Sequence, residues 1–151
     1  MLKIINNLSP FFEDCYRRIN VREYAKLVKI SPPTASKLLD QYNKEGILNK
    51  EEYKNYLFFY ANKNNRKFID LSRIYWNEKL KELISYMEKE LTNPAIILFG
   101  SFAKGEVKKD SDIDLALFSN KKIIDISNFE RKLNRNIQIF WFKNIKEIES
   151  E

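Results

Sequence analysis

Two aspartates, Asp112 and Asp114, stand one residue apart in the run Ser111-Asp112-Ile113-Asp114-Leu115. Upstream, the run Ile96-Ile97-Leu98-Phe99 ends in Gly100-Ser101, and ten residues separate Ser101 from Asp112. Each apolar run reads as a buried strand bounded by turn residues. Side chains alternate across a strand, so Asp112 and Asp114 share one face while Ile113, Leu115 and Leu117 take the other. Adjacent carboxylates repel and are costly beside a core, so a cation is expected between them. Oxygen ligands of this kind suit Mg²⁺, which takes one or two carboxylates and completes its shell with substrate phosphates. Gly100 lets backbone approach a ligand closely, and the turn beyond it, opening into a helix, offers N–H groups to phosphate. With no histidine and one cysteine, Cys15, zinc chemistry and a Ser-His-Asp triad are both excluded.

The elements that must position these groups follow the same pattern logic. Phe68, Leu71, Ile74 and Tyr75, then Leu80, Leu83, Ile84, Met87 and Leu91, predict one long or kinked helix that Thr92-Asn93-Pro94 stops. Asn62 to Arg66 is polar and reads as a linker. Beyond the aspartates, Ser119 to Lys122 is a polar loop, and Ser127-x-x-Glu130 reads as a capping box opening a helix to about Leu133. Asn136 to Phe142 predicts a third strand, with Asn136, Gln138 and Phe140 on one face and Ile137, Ile139 and Trp141 on the other. Lys143 to Glu151 reads as a short helix or frayed tail.

The N-terminal part is helical by spacing. Ser9-Pro10 predicts a helix start carrying Phe11, Phe12, Cys15, Tyr16 and Ile19. Asn20-Val21-Arg22-Glu23 predicts a second start, with Val21, Tyr24, Ala25 and Val28 as its apolar face. Ser31-Pro32-Pro33 opens a third helix that Gly46 ends; Ala35, Leu38, Leu39 and Tyr42 form its buried stripe. Thr34, Ser36, Lys37 and Gln41 face away from it. A hairpin follows: Ile47 to Lys50, a polar tip near Glu52 to Asn55, then Tyr56 to Tyr60.

The 151 residues suffice for one domain or two small ones, and 44% apolar with 32% charged content fits a globular chain. There is no 18-residue apolar run and no signal peptide, and the lone Cys15 fits a reducing compartment; a cytoplasmic protein with no membrane partner is expected. The net charge of +6 is uneven: residues 1–94 carry 17 basic and 12 acidic groups, residues 95–151 carry 10 and 9. A polyanion partner is therefore expected on the N-terminal side; a merely lysine-rich surface is the alternative.

Leu98-Phe99-Gly100-Ser101-Phe102-Ala103-Lys104-Gly105 with Ser111-Asp112-Ile113-Asp114-Leu115 resembles the signature of the nucleotidyltransferase superfamily related to DNA polymerase beta, in particular its minimal stand-alone members. The likeness covers about Pro94 to Phe142, with Lys104 where Arg is more usual. It implies transfer of a nucleoside monophosphate from an NTP, ATP foremost, to an acceptor with release of pyrophosphate. Gly100, Ser101 and Lys104 would then hold phosphates, and Asp112 and Asp114 would ligate Mg²⁺, two ions in the full set. Lys108 and Lys109 stand in the intervening loop as further candidates to neutralise phosphate. Active relatives carry a third acidic residue on the third strand; the matching position is Gln138, whose amide takes no proton at neutral pH. Glu106, Asp110 or Asp125 would replace it only if the fold brings one close.

Val21-Arg22-Glu23-Tyr24-Ala25 and Ser31-Pro32-Pro33-Thr34-Ala35-Ser36-Lys37-Leu38-Leu39 resemble a winged helix-turn-helix of bacterial and archaeal regulators. That implies duplex DNA as partner, contacted by Thr34, Ser36, Lys37 and Gln41 with Lys50 and Lys54 on the hairpin, and binding as a homodimer. The expected fold is α+β: residues 1–65 a winged helix-turn-helix, 66–93 a connecting helix, 94–151 a minimal nucleotidyltransferase domain with a mixed sheet. Two functions remain open: an enzyme modifying a protein or nucleic acid, similar to antitoxins that adenylylate a toxin, or a regulator whose transferase-like domain binds nucleotide or a partner without catalysis.

Overall fold

The computed structural model describes residues 1–150, with side chains described through Glu147. Among these residues the chain forms six α-helices, two three-stranded sheets and a closing 3-10 helix, an α+β architecture. It divides into two compact units. The first holds Met1–Tyr75 and Gly105–Lys109; the second takes Trp76–Lys104 and the chain from Asp110 on.

The first unit begins earlier than Ser9-Pro10 suggests. Helix α1 spans Lys3–Glu13, with Pro10 inside it. Ile5, Leu8, Phe11 and Phe12 are buried and set its helical stripe from the first turn. A mid-helix proline leaves the carbonyl four residues back without its N–H. Here the Ser9 hydroxyl donates to that carbonyl, Asn6 O, at 2.8 Å, so the pair expected to start the helix instead repairs its interior. The helix also ends before Cys15, Tyr16 and Ile19: Ile19 enters the two-residue strand β1 (Ile19–Asn20) and pairs with Phe59.

Asn20 caps helix α2 (Val21–Val28), its side chain accepting the Glu23 N–H at 2.9 Å. Helix α3 (Pro32–Lys44) starts behind Ser31 with Pro in its first turn, and Gly46 follows its end at φ +74°. Ala35, Leu39 and Tyr42 are buried and Leu38 half-buried. Strands β2 (Leu48–Tyr53) and β3 (Tyr56–Ala61) form a hairpin longer than its apolar residues indicate, with Glu51, Glu52 and Tyr53 in the ladder. Lys54 and Asn55 at the tip both have positive φ, the backbone of a two-residue turn whose twist matches the strands. The sheet order is β1-β3-β2, all antiparallel.

Helix α4 (Arg66–Glu90) is one continuous helix. The unit division falls inside it, between Tyr75 and Trp76.

In the second unit Asn93, at φ +45°, turns the chain from α4 into β4 (Ala95–Phe99). A single helical turn, α5 (Ser101–Lys104), follows Gly100. Strand β5 (Ile113–Phe118) runs antiparallel to β4, and β6 (Ile137–Phe142) parallel to β5, which makes the sheet mixed in the order β4-β5-β6. A parallel neighbour requires a crossover, and α6 (Ser127–Leu133) lies within it. The capping box expected at Ser127 is absent, because Asp125 Oδ1 takes both the N–H and the hydroxyl of Ser127, at 3.0 and 2.7 Å. Glu130 instead accepts the Ile137 N–H at 2.9 Å and ties α6 to the start of β6. The chain closes with a 3-10 helix at Ile145–Ser150, and Glu151 lies outside the described residues.

The core under this sheet holds Leu80, Leu83 and Met87 of α4 with Ile113, Leu115 and Leu117 of β5. Phe102 is fully buried and meets Trp76 edge-on, ring centroids 4.6 Å apart. That ring anchors α5 and hence the turn at Gly100-Ser101. Phe102→Ala is expected to cost about 3–5 kcal/mol of unfolding free energy in urea, the usual range for a buried aromatic. A loss below about 1 kcal/mol would show that the anchor is not where the turn is held.

Candidate functional site

The sheet register decides what meets at the aspartates. Phe99 pairs with Asp114, and Asp114 pairs with Gln138, so the three residues form one row across β4, β5 and β6. Partners directly opposite in a ladder share a face. Asp112 precedes β5 and joins the same cluster: the Gln138 Nε2 donates to its Oδ2 at 2.8 Å. Gln138 therefore lies beside both aspartates.

Gly100 is placed here by two constraints. Its φ is +70°, and a Cβ built on it would lie 2.5 Å from Asp114 Oδ2. Any larger residue would be strained and would push the carboxylate aside. Ser101 opens α5, and Lys104 is exposed, its N–H bonded to Gly100 O at 3.2 Å. Burial, and then the charge of Asp112, push the Asp114 carboxyl above the ordinary carboxylate range.

Behind the pair, Arg135 is buried, donates to Ser111 O at 3.3 Å, and lies 5.6 Å over the rings of both Trp76 and Phe102. The Ile113 N–H donates to Asn136 O at 2.8 Å. These contacts fix the segment carrying Asp112. The sequence reading passed over Arg135; its only signal was a lone cation just before an apolar strand.

The candidates for a third ligand stand in different surroundings. Asp125 is held by Ser127, whose hydrogen bonds lower its pKa. Asp110 lines an open cavity of about 510 Å³ that includes Ser111 and Asp112. Glu106, Lys108 and Lys109 belong to the first unit, where Lys108 lies over the Tyr16 ring at 5.2 Å. Among the described residues no group of three or more His, Cys, Asp or Glu forms a metal cluster. The donors fit one divalent cation on Asp112 and Asp114. They lack the third carboxylate of a two-metal set.

On the first unit, Thr34, Lys37 and Gln41 are exposed on α3 and Ser36 is half-buried. Thr34 shares a hydrogen bond with the Ser31 hydroxyl at 2.8 Å, and Gln41 donates to Glu45 at 3.0 Å. Lys50 pairs with Asp40 at 3.3 Å, and Lys54 sits at the hairpin tip over the Tyr53 ring.

Residues 81–148 match the family described as Polymerase beta, Nucleotidyltransferase. No curated protein and no solved structure matches the chain. Most of the second unit, from Lys81 on, is thus similar to a nucleotidyltransferase domain. Among the described residues no helix is long and apolar enough to cross a membrane.

The raised Asp114 pKa has a signed consequence. A carboxyl whose folded pKa exceeds its unfolded one favours folding most below the unfolded pKa, and that contribution is lost as pH rises through the folded pKa. Asp114→Asn should therefore raise metal-free stability at neutral pH and lose that advantage at about pH 4. Urea unfolding at the two pH values checks this; a variant less stable at both would contradict the repulsion.

Proposed function

We propose that the second unit is a divalent-metal-dependent nucleotidyltransferase, moving the nucleoside monophosphate of an NTP, ATP in the first place, onto a hydroxyl of a protein or nucleic-acid acceptor. The observation that carries this reading is Asp114 set against Gly100 and in one row with Gln138, which bonds to Asp112. Asp112 and Asp114 would hold Mg²⁺, and Gly100, Ser101 and Lys104 would face the phosphates. Bound Mg²⁺ neutralises phosphate charge and polarises the reacting phosphorus. The acceptor oxygen bonds to the α-phosphorus, the α–β P–O bond breaks, pyrophosphate leaves with that electron pair, and the hydroxyl proton passes to water. Gln138 accepts no proton, so base assistance from its position is missing.

That amide favours a second reading, in which the domain binds nucleotide or a toxin-like protein partner without turnover. Its hydrogen bond to Asp112 stands where a third carboxylate would stand. Incubation of the chain with α-labelled ATP, Mg²⁺ and cell extract decides between the two: a labelled acceptor supports the transferase. Gln138→Asp should raise transfer or ATP hydrolysis by about one to two orders of magnitude, within the span of a positioned acid–base group. A wild type that labels an acceptor while Gln138→Asp is neutral would remove the non-catalytic reading. No label from either form, with Mg-ATP bound, would remove the transferase.

The first unit is read as a winged helix-turn-helix that binds duplex DNA as a homodimer, with α3 in the major groove and the β2–β3 hairpin as wing. Support comes from the order of three helices and a hairpin, the exposed Thr34, Lys37 and Gln41, and the basic surplus of residues 1–94. Retardation of duplex DNA by the full chain should weaken with salt, by about −0.9 in log–log slope per phosphate contact. Lys37→Ala with Lys54→Ala should flatten that slope. No retardation at low salt would leave the unit a protein-docking module.

A further inference from the structure

The sheet face that carries Asp114 and Gln138 does not end at them. Row by row it reads Phe99–Asp114–Gln138, then Ile97–Ala116–Phe140, then Ala95–Phe118–Phe142. Apart from the carboxylate and amide of the first row, every residue is apolar. The face is nevertheless open: Ile97 is 49% exposed, Phe99 37% and Phe140 41%. Phe99 and Phe140 sit on strands separated by β5, about 10 Å apart at the usual spacing. Their rings still meet edge-on at 5.4 Å. They reach each other only by lying over β5, which is why Ala116 beneath them is buried.

Past this ring pair the face opens into a hollow of about 620 Å³, lined by Ala95, Ile97, Phe118, Asn144, Ile145 and Lys146. Ligand sites are of this size and are mostly apolar. The second and third rows lie about 7 and 13 Å along the strands from Asp114, at 3.3 Å per residue. That matches the reach from a reacting phosphate across a ribose to its base.

We propose that this hollow is a nucleobase subsite: the base of the bound nucleotide lies against Phe118, Ile97 and Ile145, its ribose crosses the Phe99/Phe140 pair, and its phosphates end at the aspartates. The inference rests on the nucleotide reading above and adds where the base goes. Charge selects the occupant. A wholly apolar partner, including a second copy of this face, would cover the Asp112/Asp114 charges without compensation, which is costly. A metal–nucleotide complex is apolar and aromatic at one end and brings a cation to the other. Asn144 and Lys146 also line the hollow, whose walls are almost wholly apolar.

Calorimetry on the full chain with Mg²⁺ separates the parts, using ATP and inorganic tripolyphosphate as probes. ATP should bind more tightly than tripolyphosphate. Phe118→Ala should weaken ATP by about five- to a hundredfold, the span of one base–aromatic stack, and leave tripolyphosphate unchanged. Ile145→Ala, at a position 71% exposed and so harmless to the fold, should weaken ATP by a smaller factor. Equal affinities for the two probes, or variants that hold ATP as wild type does, would overturn the subsite while leaving the phosphate site standing. Failure of both probes to bind would overturn the nucleotide reading and the subsite with it. A dimer lost in Ile145→Ala with ATP affinity intact would assign the hollow to self-association and overturn the subsite.

Discussion

The second unit is organised around an electrostatic conflict. Asp112 and Asp114 lie together at the edge of an apolar core, and Asp114 is partly desolvated, so its ionised form is disfavoured by burial and by its neighbour. The surroundings concentrate that conflict. Gly100 brings backbone so close to Asp114 that no side chain fits between them. Arg135, a cation fixed nearby, meets the Ser111 carbonyl and two aromatic rings. Gln138 offers Asp112 a neutral donor. A neutral donor lessens the repulsion without cancelling charge, and a divalent cation would cancel it. Under the proposed function, the same feature that costs stability would create affinity for a cation.

The aspartates, the Gly-Ser turn and the position of Gln138 were legible in the sequence because each rests on a short-range rule. Period-two alternation puts Asp114 and Gln138 on defined faces, and turn chemistry fixes Gly100. The apolar frame picked out Gln138 only on condition that the third strand lies beside the second; the parallel register that pairs it with Asp114 was not legible in the sequence. The misses share a different cause. Ser9-Pro10 and Ser127-x-x-Glu130 both have the residues of a helix start, and in both cases a hydrogen bond not visible in the local pattern redirected them. Cys15 to Ile19 continued an apolar spacing that strand pairing with Phe59 overrode.

The larger miss is the open face. Ile96 to Phe99 and Ile137 to Phe142 are apolar on both sides, which normally signals a strand buried on both faces. The structure buries one face of the sheet and exposes Ile97, Phe99 and Phe140 on the other. Local pattern cannot tell a strand covered on both faces from one covered on one; the exposure of Ile97, Phe99 and Phe140 makes the distinction. A three-stranded sheet with helices on one side and carboxylates on the other leaves that second face to whatever the carboxylates attract.

The central claim, that Asp112, Asp114 and Gln138 act as one cation–nucleotide site, is most directly tested by following the side-chain amide of Gln138 by ¹⁵N NMR while Mg-ATP is added. A cation on that carboxylate withdraws charge from the oxygen to which Gln138 Nε2 donates and so changes the amide's surroundings. The account predicts that the Gln138 amide resonances move with saturation, and that Asp112→Asn with Asp114→Asn abolishes the movement. Mg-ATP bound at full occupancy with those resonances unmoved would contradict it.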